Sequence, residues 1–322
     1  MTRCWGLAVS AGTQAQVKAL AAALDVTAEM KAANTNTLLG WLPNTCFIPL
    51  QSLVIPYAMS PGNEKLSPPW PELIISCGRR AAQVALGIKA KAGAATKFIH
   101  IQDPYIAPDN FDLVVAMEHD KISGANVIKT RYALHAITPD VLQKAGGHFA
   151  ARFLKYPKPY MAVLLGGSTN KYRLSKAGMA EIITSLQRLL DGANASLLIT
   201  PSRRTGDENI ALLTKAFSGN PRVYIYNFSD ENPYLGLLAL ADGIIVTNDS
   251  VNMMSEAHAT GKPLYILPLP GHANTKPTQF AEKLLQDGIA RGVGAKLESW
   301  SYPADNEMAN IGTKIKRQLS LR

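Results

Sequence analysis

Cysteine is scarce in this chain of 322 residues: Cys4, Cys46 and Cys77 lie far apart in apolar surroundings. An odd number without paired spacing argues against a disulfide framework or a thiolate metal site, and predicts reduced thiols and a cytoplasmic location. The six histidines are scattered, and His-Glu-x-x-His, P-loop and Gly-x-Ser-x-Gly patterns are all missing. The parts of the common zinc proteases, NTPases and hydrolases are therefore absent, and neither a metal nor another cofactor is expected. No apolar run approaches the roughly 18 residues that span a bilayer, so any membrane contact is expected to be peripheral, at the inner face. The net charge of +9 is carried by short pairs, Arg79-Arg80 and Arg203-Arg204, and by a tail with Lys314, Lys316, Arg317 and Arg322. Without an arginine-rich run or an RNA-binding aromatic motif, this argues against nucleic acid and leaves a small phosphorylated ligand as the partner to test.

What is present is the composition of a globular protein, 47% hydrophobic and 18% charged, at a length that suggests two domains. The opening residues 1 to 12 superficially resemble a signal peptide, but their apolar stretch is short and runs into an amphipathic segment, so a first β-strand is expected. Apolar runs recur at Trp5 to Ser10, Leu73 to Cys77, Lys97 to Ile101 and Leu113 to Met117, separated by helical patterns such as Gln14 to Leu24 and Arg79 to Lys91. The pattern restarts at Met161 to Leu165 and continues through Ser196 to Thr200, Val223 to Tyr226, Gly243 to Thr247 and Leu264 to Leu267. Strands alternating with helices imply parallel sheets, so the expected class is α/β with two Rossmann-like doubly wound domains facing a cleft. Pro157 and Pro159 favour extended backbone and place the expected boundary near residue 155. The domains are then 1–154 and 155–322, with the final helix free to pack back on the first. The proline-rich stretch Ser52 to Pro71 is expected to be a long loop, whose Leu53, Val54, Ile55 and Tyr57 could meet a membrane or an acceptor.

Ligands collect at the carboxyl ends of parallel strands, where loops feed helix N-termini that attract anions. Gly166, Gly167 and Ser168 follow one strand, and Thr200-Pro-Ser-Arg-Arg follows the next, offering Thr200, Ser202, Arg203 and Arg204 to a diphosphate. Asp249 and Ser250 follow a third, where the simpler reading of either is a helix N-cap.

The segment Leu240-Ala-Asp-Gly-Ile-Ile-Val-Thr-Asn-Asp-Ser-Val-Asn-Met-Met-Ser-Glu-Ala-His-Ala-Thr-Gly-Lys-Pro resembles the donor signature of glycosyltransferase-B enzymes, notably the lipid-linked N-acetylglucosaminyltransferase of peptidoglycan synthesis. The ordered motifs Cys77-Gly-Arg-Arg, Ile101-Gln-Asp-Pro, Glu118-His-Asp, Leu165-Gly-Gly, Thr200-Pro-Ser-Arg-Arg-Thr, Asn232-Pro-Tyr and Trp300-Ser-Tyr-Pro resemble one narrower family, the bacterial relatives of the plant "elongated mitochondria" fission protein. The resemblance implies a nucleotide diphospho-sugar partner, a UDP-sugar by analogy, and an acceptor for which a lipid-linked molecule is one option. It implies that Ser255 and Glu256 belong to the donor site, with Glu256 on the ribose hydroxyls and Gly167 and Ser168 on the diphosphate. Phe228 would lie near the base, and His272 and Gln279 near the donor sugar. The first loop, Ser10 to Gln16, lacks the Gly-His pair that supplies a candidate base in the peptidoglycan enzyme. Glu118, His119 and Asp120 are the candidate replacement, since a carboxylate beside an imidazole can abstract a proton. The expected function is a metal-independent glycosyltransferase; the alternatives are a nucleotide-sugar epimerase or hydrolase, and a noncatalytic interaction protein.

Overall fold

The computed structural model describes residues 2–33, 43–47, 66–169, 172–294, 296–304 and 307–321. Most of the stretch Ser52 to Pro71, including Leu53, Val54, Ile55 and Tyr57, lies outside them. The chain forms two compact units, residues 1–136 with 307–322, and residues 137–306.

The first unit is built on a six-stranded sheet of β1 (Cys4–Ala8), β2 (Ala28–Ala32), β3 (Leu73–Cys77), β4 (Lys97–Ile101), β5 (Leu113–Met117) and β6 (Val127–Thr130), in the order β2-β1-β3-β4-β5-β6. Every pairing is parallel. Side chains alternate across the sheet, so both faces must be covered. Leu73, Ile75 and Cys77 pack on one side with Val17 and Leu20 of α1 (Ala11–Ala23) and with Ile311 and Ile315 of α9 (Met308–Leu319). Ile74 points the other way, against Ala81, Val84 and Ile88 of α2 (Arg79–Ala92). Two buried faces explain why β3 reads as an unbroken apolar run, whereas the edge strands β2 and β6 carry Glu29, Lys31 and Lys129 and escaped the sequence reading. Ser10 starts α1 with a reciprocal capping box to Thr13.

In the second unit α3 (Pro139–Phe153) precedes β7 (Tyr160–Leu165), β8 (Ser196–Pro201), β9 (Val223–Ile225), β10 (Gly243–Thr247), β11 (Leu264–Leu267) and β12 (Ala290–Gly292), ordered β12-β11-β10-β7-β8-β9, again with every pairing parallel. The intervening helices are α4 (Lys176–Gly192), α5 (Asp207–Ala216), α6 (Tyr234–Leu240), α7 (Val251–His258) and α8 (Lys276–Gln286). This order is that of a doubly wound dinucleotide-binding sheet, whose strand order reverses between its first and fourth strands, here β7 and β10. In the first unit the reversal lies between β1 and β3. The unit division falls at 136/137, one helix upstream of Pro157 and Pro159, which lead directly into β7.

Two glycines on helices separate packing from propensity. A Cβ on Gly312 of α9 would overlap the Ala23 carbonyl at the end of α1, while one on exposed Gly147 of α3 meets nothing. Gly312→Ala should cost about 1–3 kcal/mol and Gly147→Ala should add about 0.5–1 kcal/mol, both read as shifts in denaturant midpoint.

Candidate functional site

The reversal between β7 and β10 brings three loops together. β7 runs into Gly166, Gly167 and Ser168; β8 into Ser202 and the 3₁₀ turn Arg203–Thr205; β10 into Asn248, Asp249 and Ser250. Asp249 joins them. Its side chain has no exposed surface, and one oxygen lies 2.8 Å from a terminal guanidinium nitrogen of Arg204. That oxygen also accepts from the Gly167 amide at 3.2 Å, and the other accepts from the Thr247 hydroxyl at 2.7 Å. A buried carboxylate is tolerated only with such partners. The backbone follows suit: the Gly166 amide donates to the Thr247 hydroxyl at 2.8 Å, the Ser168 amide to the Arg204 carbonyl at 2.8 Å, and the Thr205 hydroxyl to the Gly166 carbonyl at 2.6 Å.

The double glycine is thereby explained by space. A Cβ on Gly166 would occupy the Asp249 carboxylate, and one on Gly167 would overlap the Arg204–Thr205 backbone. The amides expected to meet a diphosphate instead have partners within the protein. The Arg204 side chain is 40% exposed, Arg203 is exposed and Ser202 half-buried. Thr200 is a buried strand residue paired with Leu164.

Ser250 is the N-cap of α7, accepting from the Met253 amide at 3.4 Å. Ser255 is wholly buried on this helix. Glu256, one residue on, is partly buried and accepts a hydrogen bond from the Tyr234 hydroxyl. Tyr234 is placed by the Asn232-Pro-Tyr motif: the Asn232 side chain accepts from the Tyr234 amide at 3.0 Å and turns the chain into α6. Burial lifts the Glu256 carboxyl above its ordinary range, and the Tyr234 bond opposes the rise in part. Tyr234 itself is pushed well above the usual phenol value by burial and by the adjacent carboxylate.

The loop after β11 contributes His272, 8% exposed, with Nε2 at 3.4 Å from the Thr275 hydroxyl and Nδ1 without a hydrogen-bond partner. Its ring meets that of Tyr172 edge-on at 4.8 Å, and the Tyr172 hydroxyl donates to the Pro270 carbonyl at 2.8 Å. Burial lowers the His272 pKa; Asp249 raises it and Arg204 lowers it, as charges at the same strand ends must. Gln279 is exposed on α8. Phe228, 40% exposed in the loop between β9 and α6, stands in the left-handed region at φ 64° with its ring 4.9 Å from Tyr226, a conformation uncommon for an aromatic residue.

Glu118, His119 and Asp120 follow β5 in the first unit. Glu118 and His119 are exposed, while Asp120 is 6% exposed and accepts from the Met117 amide at 3.2 Å, closing the turn. Its other oxygen lies 3.7 Å from His119 Nε2. Tyr234, Thr247 and Tyr172 were missed as site residues in the sequence reading; the available signals were a tyrosine opening a helix and a hydroxyl ending an apolar strand. The Trp300-Ser-Tyr-Pro motif is structural here: Trp300 donates to the Ile289 carbonyl at 3.1 Å and the Tyr302 hydroxyl to the Lys262 carbonyl at 2.7 Å. Among the described residues no group of three or more His, Cys, Asp or Glu could hold a metal ion, and no helix is long and apolar enough to cross a membrane.

The family profile described as "Mitochondrial fission ELM1" matches residues 11–319. The mitochondrial fission protein ELM1 of Arabidopsis thaliana is 31% identical over 278 residues, covering 78% of this chain and 65% of the plant protein, so the match spans just under two thirds of that relative. Among solved structures, a putative UDP-N-acetylglucosamine 2-epimerase from Listeria monocytogenes superposes with a TM-score of 0.61 at 10% identity, over 100% of this chain and 97% of that one. The UDP-GlcNAc 2-epimerase of Methanocaldococcus jannaschii, in complex with UDP-GlcNAc and UDP, gives 0.58 at 12% identity over 99% and 100%. At such identities the likeness concerns the fold, which is of the glycosyltransferase-B and epimerase type.

Two outcomes test the site's construction without a ligand. Gly167→Ala should cost about 1–3 kcal/mol in chemical denaturation, because its neighbour is backbone and cannot swing aside. With its folded-state pKa raised, Glu256 contributes stability that is full below the unfolded value and lost as pH rises through the folded one. Glu256→Gln should therefore flatten the decline in stability just above the ordinary carboxylate range.

Proposed function

The chain belongs to the mitochondrial fission ELM1 family, and we propose that it binds a nucleotide diphospho-sugar at the carboxyl ends of β7, β8 and β10 and uses it as a glycosyl donor. The observation that carries this reading is the coincidence, at one strand-order reversal, of a basic loop, a capped helix N-terminus and a partly buried carboxylate on that helix. Ligands of doubly wound sheets bind outside the reversal point. Arg203 and Arg204 supply planar, multiply donating cations suited to phosphate oxygens. Glu256 can accept from a vicinal diol: Tyr234 engages one oxygen, and each carboxylate oxygen has two lone pairs. Phe228 offers an exposed ring to a base, and His272 an unpartnered ring nitrogen at the loop after β11.

Transfer also needs a general base, and Glu118, His119 and Asp120, carboxylates beside an imidazole, have the chemistry for it. The chemistry needs no metal. Transfer requires a second substrate. Turnover of the nucleotide sugar alone would replace transfer with epimerisation or hydrolysis, and binding without turnover would leave a nucleotide-sugar-responsive interaction protein.

The test is nucleotide affinity by calorimetry. Glu256→Ala should weaken binding of a ribonucleoside diphosphate sugar by about 1.5–3 kcal/mol. The 2′-deoxy ligand should bind wild type correspondingly less well, with little further loss in the variant. Equal affinity of wild type for ribo and deoxy forms would remove Glu256 from the ribose site.

A further inference from the structure

The loop between β9 and α6, residues 226–233, carries Phe228 in a backbone conformation that an aromatic side chain disfavours, at φ 64°. Such a residue persists only where its surroundings over-determine it. Its own loop supplies part of the constraint. The Tyr226 hydroxyl donates to the Asp230 carbonyl at 3.0 Å, and the Asn227 side chain accepts from the Ser229 amide at 3.2 Å and from its hydroxyl at 2.7 Å. A second set of ties comes from α3, which is distant in sequence. Its Arg152 donates to the Glu231 carbonyl at 2.9 Å and pairs with the Asp230 carboxylate, while His148, one turn earlier, meets the Glu231 carboxylate at 2.6 Å.

These ties are not alike. His148 and Glu231 are both mostly exposed, and a pair so open to water holds little. The Arg152 side chain is only 22% exposed, and its guanidinium lies 5.6 Å from the centre of the Tyr224 ring on β9 and 5.8 Å from that of Phe149. A planar cation beside two rings keeps its direction, and here it points at two adjacent residues of the loop. The helix that carries it is itself fixed against α6, the element into which the loop leads: a Cβ on Gly236 would overlap the Phe149 side chain. We propose that Arg152 is a positioning residue for the nucleoside half of the ligand, holding the loop so that the Phe228 ring stands ready for the base. The inference rests on the nucleotide-sugar reading above and adds to it that a residue on α3, outside all the strand-end loops, sets how tightly the base is held. Without Arg152 the ligand must order the loop as it binds, which lowers affinity although no contact to the ligand has been removed.

The experiment is a double-mutant cycle read by calorimetry with UDP, the other common nucleoside diphosphates being substituted if the uridine form is silent. Arg152→Met keeps an aliphatic stem against the two rings and removes the donors. It should weaken UDP about three- to tenfold in the wild-type background, and hardly at all in Phe228→Ala, where no ring remains to be positioned. A merely structural role would cost the same in both backgrounds. Should Arg152→Met fail to fold, Asp230→Asn removes the ion pair from its more exposed side and should show the same non-additivity in smaller measure. Unchanged affinity in the folded variants, or an equal loss with and without Phe228, overturns the positioning role while leaving the donor site standing. If Phe228→Ala binds UDP as wild type does, the base contact and the role of Arg152 fall together. If wild type binds no nucleoside diphosphate, the donor site itself falls and this inference with it.

Discussion

The second unit is organised around a carboxylate that water cannot reach. A charge in that position must be matched by donors, and removing one partner from such a set is far costlier than breaking a surface ion pair. Asp249 takes one donor from Thr247 at the end of its own strand and two, the Gly167 amide and Arg204, from loops that are distant in sequence and adjacent only because β7, β8 and β10 lie side by side. The dependence runs both ways. The loops can approach closely only because two of their residues have no side chain, and the carboxylate can be buried only because the loops approach. The Gly-Gly pair after β7 is thus a packing requirement before it is a ligand feature.

The same knot determines how the candidate site faces its ligand. Arg204 is drawn inward by one edge and presented outward by the rest, so its direction is set before any anion arrives. One helix further on, the Tyr234 hydroxyl fixes the Glu256 carboxylate, and the Asn232 turn fixes Tyr234. Preorganisation of this kind spares a ligand the entropy of ordering long side chains. Lys262 serves the same framework away from the site, closing α6 by donating to the Leu238 and Ala239 carbonyls at 2.7 and 2.6 Å, where a cation suits the helix dipole.

Strands with two buried faces were legible in the sequence because both sets of alternating side chains are apolar, and Leu73 to Cys77, Lys97 to Ile101, Leu113 to Met117 and Gly243 to Thr247 were read with their observed bounds. The edge strands Ala28–Ala32 and Ala290–Gly292 were not, because one side meets solvent and tolerates Glu29, Lys31 and Arg291. The strand-end loops could be listed from sequence, but not the bonds among them. Asp249 looked like a cap or a ligand contact, and only the strand order makes it the internal partner of Arg204. The N-cap was the simpler reading of Asp249 or Ser250, and the hydrogen bond from Met253 shows Ser250 in that place. The unit division before α3 was hidden for a similar reason: the prolines near residue 155 are visible locally, whereas the packing of α3 on α6 is a long-range fact.

The return of α9 to the first unit has a consequence for biogenesis. Ile311 and Ile315 cover the same sheet face as α1, yet they leave the ribosome only after all of residues 137–306. During synthesis the amino-terminal sheet must wait, one apolar flank uncovered, while the inserted unit can collapse by itself. A nascent chain stalled anywhere in that interval exposes a greasy surface, a natural substrate for chaperones and quality-control proteases. The order of translation thus makes the unit that starts first the one that finishes last.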